Sequence, residues 1–287
     1  MKLLLALAFI TLTTAACSTP APKPVSEFTV HDDRGAIIHR EYLAHPSDPD
    51  KKIEFFWMKP EGEGPFPMVV LLHGHQSPER PGGGMFTFGE LQMFVKQGWV
   101  AVAVSQPGYG GSNGPPDFCG PYSQDAVHET LRYFRSKSWI KPERIAISGA
   151  SRGAILAAMV ATQEKNLAGL ILTVGAYDLK ESYGLWKVIS SSRALAEAFE
   201  NEAGTSDDAF ESRSALSHIA DLRTPALIIA SGFDNPGSQR QAGVLTQKLK
   251  AQGTPAELVD FPDEAHQIPF EKREFVIMKF LKERLAN

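Results

Sequence analysis

The sequence predicts an α/β fold, a mostly parallel sheet with helices on both faces, on three observations. First, short runs such as Met68 to Leu72, Val100 to Val104 and Ala226 to Ala230 are apolar throughout, as strands buried on both faces are. Second, amphipathic stretches of roughly ten to sixteen residues separate these runs, which implies right-handed crossover connections. Third, 43% hydrophobic and 22% charged residues over 287 positions supply a sizeable core, with one large domain as the default.

The elements follow in chain order. Residues 1–16 carry one cation, Lys2, and then an uncharged run from Leu3 to Ala16 that is too short to span a bilayer, the pattern of an export signal. Residues 17–26 are rich in Pro, Ala, Ser and Thr and suit an extended tether. The domain then occupies residues 27–287. Its first strands, near Glu27 to Glu41 and Ile53 to Pro60, have no helix between them and should form an antiparallel edge. Met68 to Leu72 is a buried strand, and the helix from Phe88 ends at Gly98, a residue suited to a C-cap. A strand at Trp99 to Gln106, a helix at Tyr122 to Lys137 and a strand at Glu143 to Gly149 come next, and a helix opens after Ser151. Strands at Leu167 to Gly175 and Thr224 to Gly232 flank residues 179–216, which read as a small helical insertion over the C-terminal edge of the sheet. A helix capped by Gly253, a strand at Ala256 to Pro262 and a closing helix from Pro269 complete the chain.

The formal net charge of −4 offers no basic surplus for phosphate neutralisation, which argues against a nucleic-acid partner. Two cysteines are present, and Cys119, within a Gly/Pro-rich loop, reads as a small, partly buried residue.

Chemistry concentrates around Gly149-Ala150-Ser151-Arg152-Gly153. Gly-x-Ser-x-Gly alone is weak, arising by chance in roughly one chain in ten of this length. Here it follows a β-branched strand and opens a helix, the setting of a nucleophile elbow, with glycines where a tight turn has no space for a Cβ. Ser151 would project at a helix N-terminus that favours developing negative charge. A serine hydroxyl needs a base, and His266, after the last strand, is the candidate. His31, His39, His128 and His218 follow no late strand. Asp234, in the loop after the penultimate strand, is the candidate orienting acid, with Asp260 and Asp263 as nearer alternatives in sequence. Two N–H donors would stabilise an oxyanion: the backbone of Arg152, and that of His75 or Gln76 after the strand ending at Leu72. The pair His73 and His75 at i,i+2 spacing, without a carboxylate or cysteine cluster, makes a poor metal site, so neither metal nor cofactor is expected.

Together "LLHGH", "GASRGA", "SALSHIADLRTPALIIASG" and "AELVDFPDEAH" resemble the α/β-hydrolase superfamily, most closely the catalytic domain of the prolyl oligopeptidase family and dienelactone-hydrolase-like esterases. The resemblance covers the chain from about Glu27 onward. It implies a Ser151, Asp234, His266 triad and oxyanion donation from Arg152 and the His73 to Gln76 loop. It departs from the family pattern at Ser231-Gly232, where members often carry His-Gly, and in a short acid loop, "FDNPGS". The expected activity is cleavage of carboxylic esters through an acyl-serine. The alternatives are a serine peptidase on short peptides and, in another class, a non-catalytic binding lipoprotein. The end of the export signal, Thr14-Ala15-Ala16-Cys17, resembles a bacterial lipobox, which implies lipidation of Cys17 and, with Ser18 following, an outer-membrane lipoprotein. The other reading is an ordinary signal cleaved near the same place, releasing a soluble periplasmic or secreted enzyme.

Overall fold

A computed structural model of the chain describes residues 22, 24–31, 37–82, 88–234 and 236–286. Cys17, the export signal and most of the tether lie outside them. Among the described residues nine strands form one sheet in the order β1-β2-β3-β5-β4-β6-β7-β8-β9. The strands are β1 (Pro24–His31), β2 (Ile37–His45), β3 (Asp48–Met58), β4 (Phe66–Leu72), β5 (Val100–Val104), β6 (Ile140–Ala150), β7 (Gly169–Thr173), β8 (Ala226–Phe233) and β9 (Ala256–Ala265). The first three strands and β5 pair antiparallel, and from β5 through β4 to β9 every pairing is parallel.

The antiparallel edge differs in detail from the expectation. Two strands, paired Glu27 to Glu41, occupy the region read as one, and β1 begins at Pro24, inside the stretch read as tether. Residues 32–36, between these two strands, lie outside the described residues.

The helices are α1 (Phe88–Lys96), α2 (Pro121–Arg135), α3 (Arg152–Gln163), α4 (Leu179–Val188), α5 (Arg193–Ala203), α6 (Asp207–Glu211), α7 (Pro236–Ala251) and α8 (Phe270–Leu285), with a 3₁₀ turn at Ser190–Ser192. Gly98 and Gly253 follow α1 and α7 at φ +86° and +81°, the left-handed region that glycine enters without a Cβ penalty.

Period-two alternation divides each central strand between two cores. Val70, Leu72, Val102 and Ile147 join residues of α2, α3 and α7, and Val69, Leu71, Ala101 and Ala103 join residues of α1 and α8. Both faces are therefore buried, which explains the unbroken apolar runs. The insertion packs on the first of these cores through Leu179, Trp186, Phe199 and Phe210. Its first helix is capped by Asp178, whose carboxylate accepts from the Glu181 N–H at 3.0 Å. No helix among the described residues is long and apolar enough to cross a membrane.

Candidate active site

Three side chains meet where three parallel strands end. Ser151 follows β6, Asp234 follows β8 and His266 follows β9. The Ser151 backbone sits at φ +53°, ψ −120°, a conformation that costs on the order of 1–3 kcal/mol for a non-glycine residue. The surroundings hold it there: the Ser151 N–H donates to the Thr173 carbonyl at 2.8 Å, and its own carbonyl accepts from the Ala154 N–H at 2.9 Å. The flanking glycines have a steric reason. A Cβ on Gly149 would stand 2.1 Å from the Gly153 carbonyl oxygen, and one on Gly153 would stand 2.1 Å from that of Leu72.

The His266 Nε2 lies 2.9 Å from Ser151 Oγ, and its Nδ1 lies 2.8 Å from Asp234 Oδ1. A carboxylate only accepts, so the Nδ1–H faces Asp234 and the Nε2 lone pair faces the serine hydroxyl. Asp234 is nearly buried, with 7% of its side chain exposed, whereas His266 is 47% exposed toward the cavity. Asp260 instead accepts from the Gln239 amide at 2.8 Å on the surface. Gly232 has a steric reason: a Cβ there would stand 2.0 Å from the Pro262 carbonyl oxygen, where β8 and β9 shift register; nothing in the structure explains Ser231 before it.

Ser151, Asp234 and His266 line a cavity of 690 Å³. Its walls include Ile155 of α3, Val174 after β7, and Trp186, Ile189 and Leu195 of the insertion. The insertion thus forms a cap over the strand ends. Of carboxylates among the described lining residues there is Asp234 alone, already engaged by His266.

Arg152 and His75 both reach the cavity wall. Gln76, the other candidate for a backbone donor, is not among the residues that line the cavity, and its side-chain amide donates to the Arg80 carbonyl at 2.9 Å. His73 is fully buried and has no face toward a ligand. Its Nε2 accepts from the Gln106 N–H at 3.0 Å, so Nδ1–H donates to the Gly74 carbonyl at 2.8 Å. Burial holds this imidazole down to about 4, and it is neutral at ordinary pH. With both nitrogens engaged, it has none left for a metal. His75 is also held below its ordinary value, by burial first and by the nearby Arg152 charge second. Cys119 is fully buried, which pushes its thiol up to about 12 and leaves it no nucleophilic character.

Several residues of the site went unnoticed in the sequence. Glu202 of α5 forks onto the Arg152 guanidinium, with Oε1 at 3.0 Å from Nη1 and Oε2 at 2.5 Å from Nη2. Tyr109 and Gln106 also contact Arg152, and Phe118 lies beneath it. Arg273 of α8 also lines the cavity. The one available signal was Arg152 itself, a cation in an alanine-rich, buried stretch that requires a partner.

Comparison with known proteins bears on the family and the fold. Residues 119–286 match the model of the prolyl oligopeptidase family, more than half of the chain. An uncharacterized peptidase of Bacillus subtilis, YuxL, is 22% identical over 273 residues, covering 88% of this chain and 39% of the relative. The chain thus spans well under half the length of that relative. A second, YtmA from the same organism, is 25% identical over 187 residues, covering 65% of this chain and 72% of its own. Among solved structures, the acetyl xylan esterase from Paenibacillus sp. R4 superposes with a TM-score of 0.70 at 16% identity, over 91% of this chain and 88% of its own. The Pyrococcus horikoshii acylaminoacyl peptidase gives 0.69 at 19% identity, over 93% of this chain and 42% of its own. At these identities the two structures attest the α/β-hydrolase fold.

Proposed function

The chain belongs to the prolyl oligopeptidase family and is a serine hydrolase, and from that premise we propose that it cleaves carboxylic esters through an acyl-serine formed on Ser151. The observation that carries this reading is the relay from Ser151 Oγ through His266 to Asp234, at 2.9 and 2.8 Å, opening on an apolar cavity. In the reaction His266 Nε2 takes the serine proton as Oγ attacks the ester carbonyl, and then gives it to the departing alkoxide. Asp234 keeps the imidazole in the required tautomer and stabilises its charged form. The Arg152 and His75 backbone N–H groups receive the oxyanion. Water then hydrolyses the acyl-enzyme by the same proton route in reverse.

Esters are favoured over peptides by the cavity's lining. Ile155, Val174, Trp186 and Leu195 offer surface to an acyl chain. A free amino terminus would call for a carboxylate other than Asp234, and the described lining supplies none. The peptidase reading is kept because the family model and both Bacillus subtilis relatives carry that description. Export as a lipoprotein anchored through Cys17 is proposed on the sequence pattern alone.

The test is to measure turnover of short-chain aryl esters and of prolyl and aminoacyl amides, and labelling by a fluorophosphonate, for the wild type and Ser151→Ala. Ester turnover and labelling that vanish in Ser151→Ala are expected. Equal labelling of the two proteins removes Ser151 as nucleophile, and amide turnover exceeding ester turnover replaces the esterase reading by the peptidase one.

A further inference from the structure

The Arg152 side chain takes no part in the proton relay, yet it is among the largest fully buried side chains, 1% exposed. Burying a guanidinium is costly unless its donors are met. Here its partners form a chain with a direction. Nε donates to Gln106 Oε1 at 3.3 Å, and Gln106 grips His73 twice, through its N–H to Nε2 at 3.0 Å and through its amide to the carbonyl at 2.6 Å. His73 opens the loop that brings His75 to the cavity. The guanidinium thus connects the elbow to the loop across the strand ends.

The other end of Arg152 is fixed as well. Its carbonyl accepts from Cys119 Sγ at 3.2 Å, and Glu202, which forks onto the guanidinium, also accepts from the Phe118 N–H at 2.9 Å. Phe118 and Cys119, which make these contacts, hold left-handed backbone, φ +46° and +67°. The Tyr109 hydroxyl, 3.1 Å from Nη1, and the faces of Tyr109 and Phe118 enclose the charge.

We propose that Arg152, Gln106 and His73 form a buried strut that sets the spacing of the two oxyanion-binding N–H groups, and that Glu202 supplies its counter-ion from the cap. Seating of the cap and stabilisation of the oxyanion are then coupled. Gln106 and Glu202 are positioning residues, since neither lines the cavity. The inference rests on the serine-hydrolase mechanism above, with Arg152 and His75 as the main-chain donors.

The experiment measures kcat and KM on a short aryl ester, and the rate of fluorophosphonate inactivation, for Glu202→Gln, Glu202→Ala and Gln106→Ala, with Ser151→Ala as control. All assays run well below each variant's melting midpoint. A misplacement near 1 Å at one donor predicts that kcat and the inactivation rate fall by about 10²-fold in Glu202→Ala and Gln106→Ala, with KM within about threefold. Glu202→Gln, which keeps the shape of the fork, should fall less. The acid limb of the pH profile should stay in place, because His266 and Asp234 are untouched. Wild-type kcat in Gln106→Ala and Glu202→Gln, or a loss confined to KM, overturns the strut, and these two milder variants carry the test where Glu202→Ala does not fold. Activity persisting in Ser151→Ala would instead overturn the mechanism beneath it.

Discussion

Replacing Gly153 by alanine adds one methyl group and no charge, so its effect isolates the geometry of the elbow. The new Cβ would lie 2.1 Å from the Leu72 carbonyl oxygen and 2.7 Å from that of His73. An unstrained carbon to carbonyl-oxygen contact is about 3.3 Å, so the start of α3 and the end of β4 must separate by roughly 1 Å. Both obstructing atoms are backbone, and neither can swing away as a side-chain tip would. That separation moves Ser151 at one end of the contact and the loop toward His75 at the other. A displacement of about 1 Å at reacting groups costs on the order of 10²-fold in rate, and overpacking of this kind costs about 1–3 kcal/mol in stability. Steady-state kcat on an aryl ester, with a thermal melt of the same preparation, reads both. Gly153→Ala at wild-type kcat and unchanged Tm would refute the steric argument, and the elbow would then owe its form to something other than the close approach of these two segments. A stable but slow variant supports it.

Asp234→Asn should lower kcat by about 10⁴-fold while leaving the fold intact, because the amide supports the wrong imidazole tautomer; Asp260→Asn, whose carboxylate meets only Gln239, should retain activity, and steady-state kinetics of both variants identify the acid. Glu54 is fully buried and accepts from Arg40, Tyr42, Ser105 and the Gly111 N–H. With Arg40 partly exposed, Glu54→Gln should cost about 3 kcal/mol, lowering Tm by roughly 6–12 °C, and an unchanged melt would contradict the importance of this anchor. Glu90 is raised from 4.5 to about 7, chiefly by burial, against the opposing pull of Arg273. Between those values the folded chain holds a proton that the unfolded chain has lost, so this group's contribution to stability falls as pH rises through the interval. Glu90→Gln should therefore match the wild type near pH 4 and melt higher above pH 7, by at most roughly 3 kcal/mol in stability, and a difference in Tm that stays constant with pH would exclude the effect.

The parallel half of the fold was legible because burial on both faces leaves a strand no polar positions. Val100 to Val104 could be read directly for that reason. The edge was harder. In β2 and β3 charged residues point inward, with Glu41 accepting from Trp57 and Tyr133, and Glu54 from Arg40, so alternation of polar and apolar residues no longer reports the buried face. Strand ends were also underestimated. β9 continues to Ala265, through Pro262, Asp263 and Glu264, because pairing with β8 resumes at Phe233 and Ala265 after a shift in register. Local propensity at those residues suggests a loop, and the neighbouring strand overrides it.

The same division runs through the site. Ser151, Asp234 and His266 were readable because each follows a strand, in an order that the topology converts into proximity. The insertion's contribution was not, since α5 carries Glu197, Glu200 and Glu202 on one short alanine-rich helix, and only packing distinguishes them. Glu200 faces the Tyr183 hydroxyl, while Glu202 reaches the buried guanidinium. Yet Arg152 did hold half of that information. An arginine one residue past the nucleophile, entering a helix as apolar as Arg152–Gln163, has little water to meet its charge, and a buried cation needs a carboxylate from elsewhere in the chain. The sequence therefore implied that some acid must close over the elbow, and the cap is the element with an acid placed to do so. On the strut proposed above, the insertion has a second task beyond shaping the cavity, since its Glu202 meets the charge of the guanidinium that Tyr109 and Phe118 enclose.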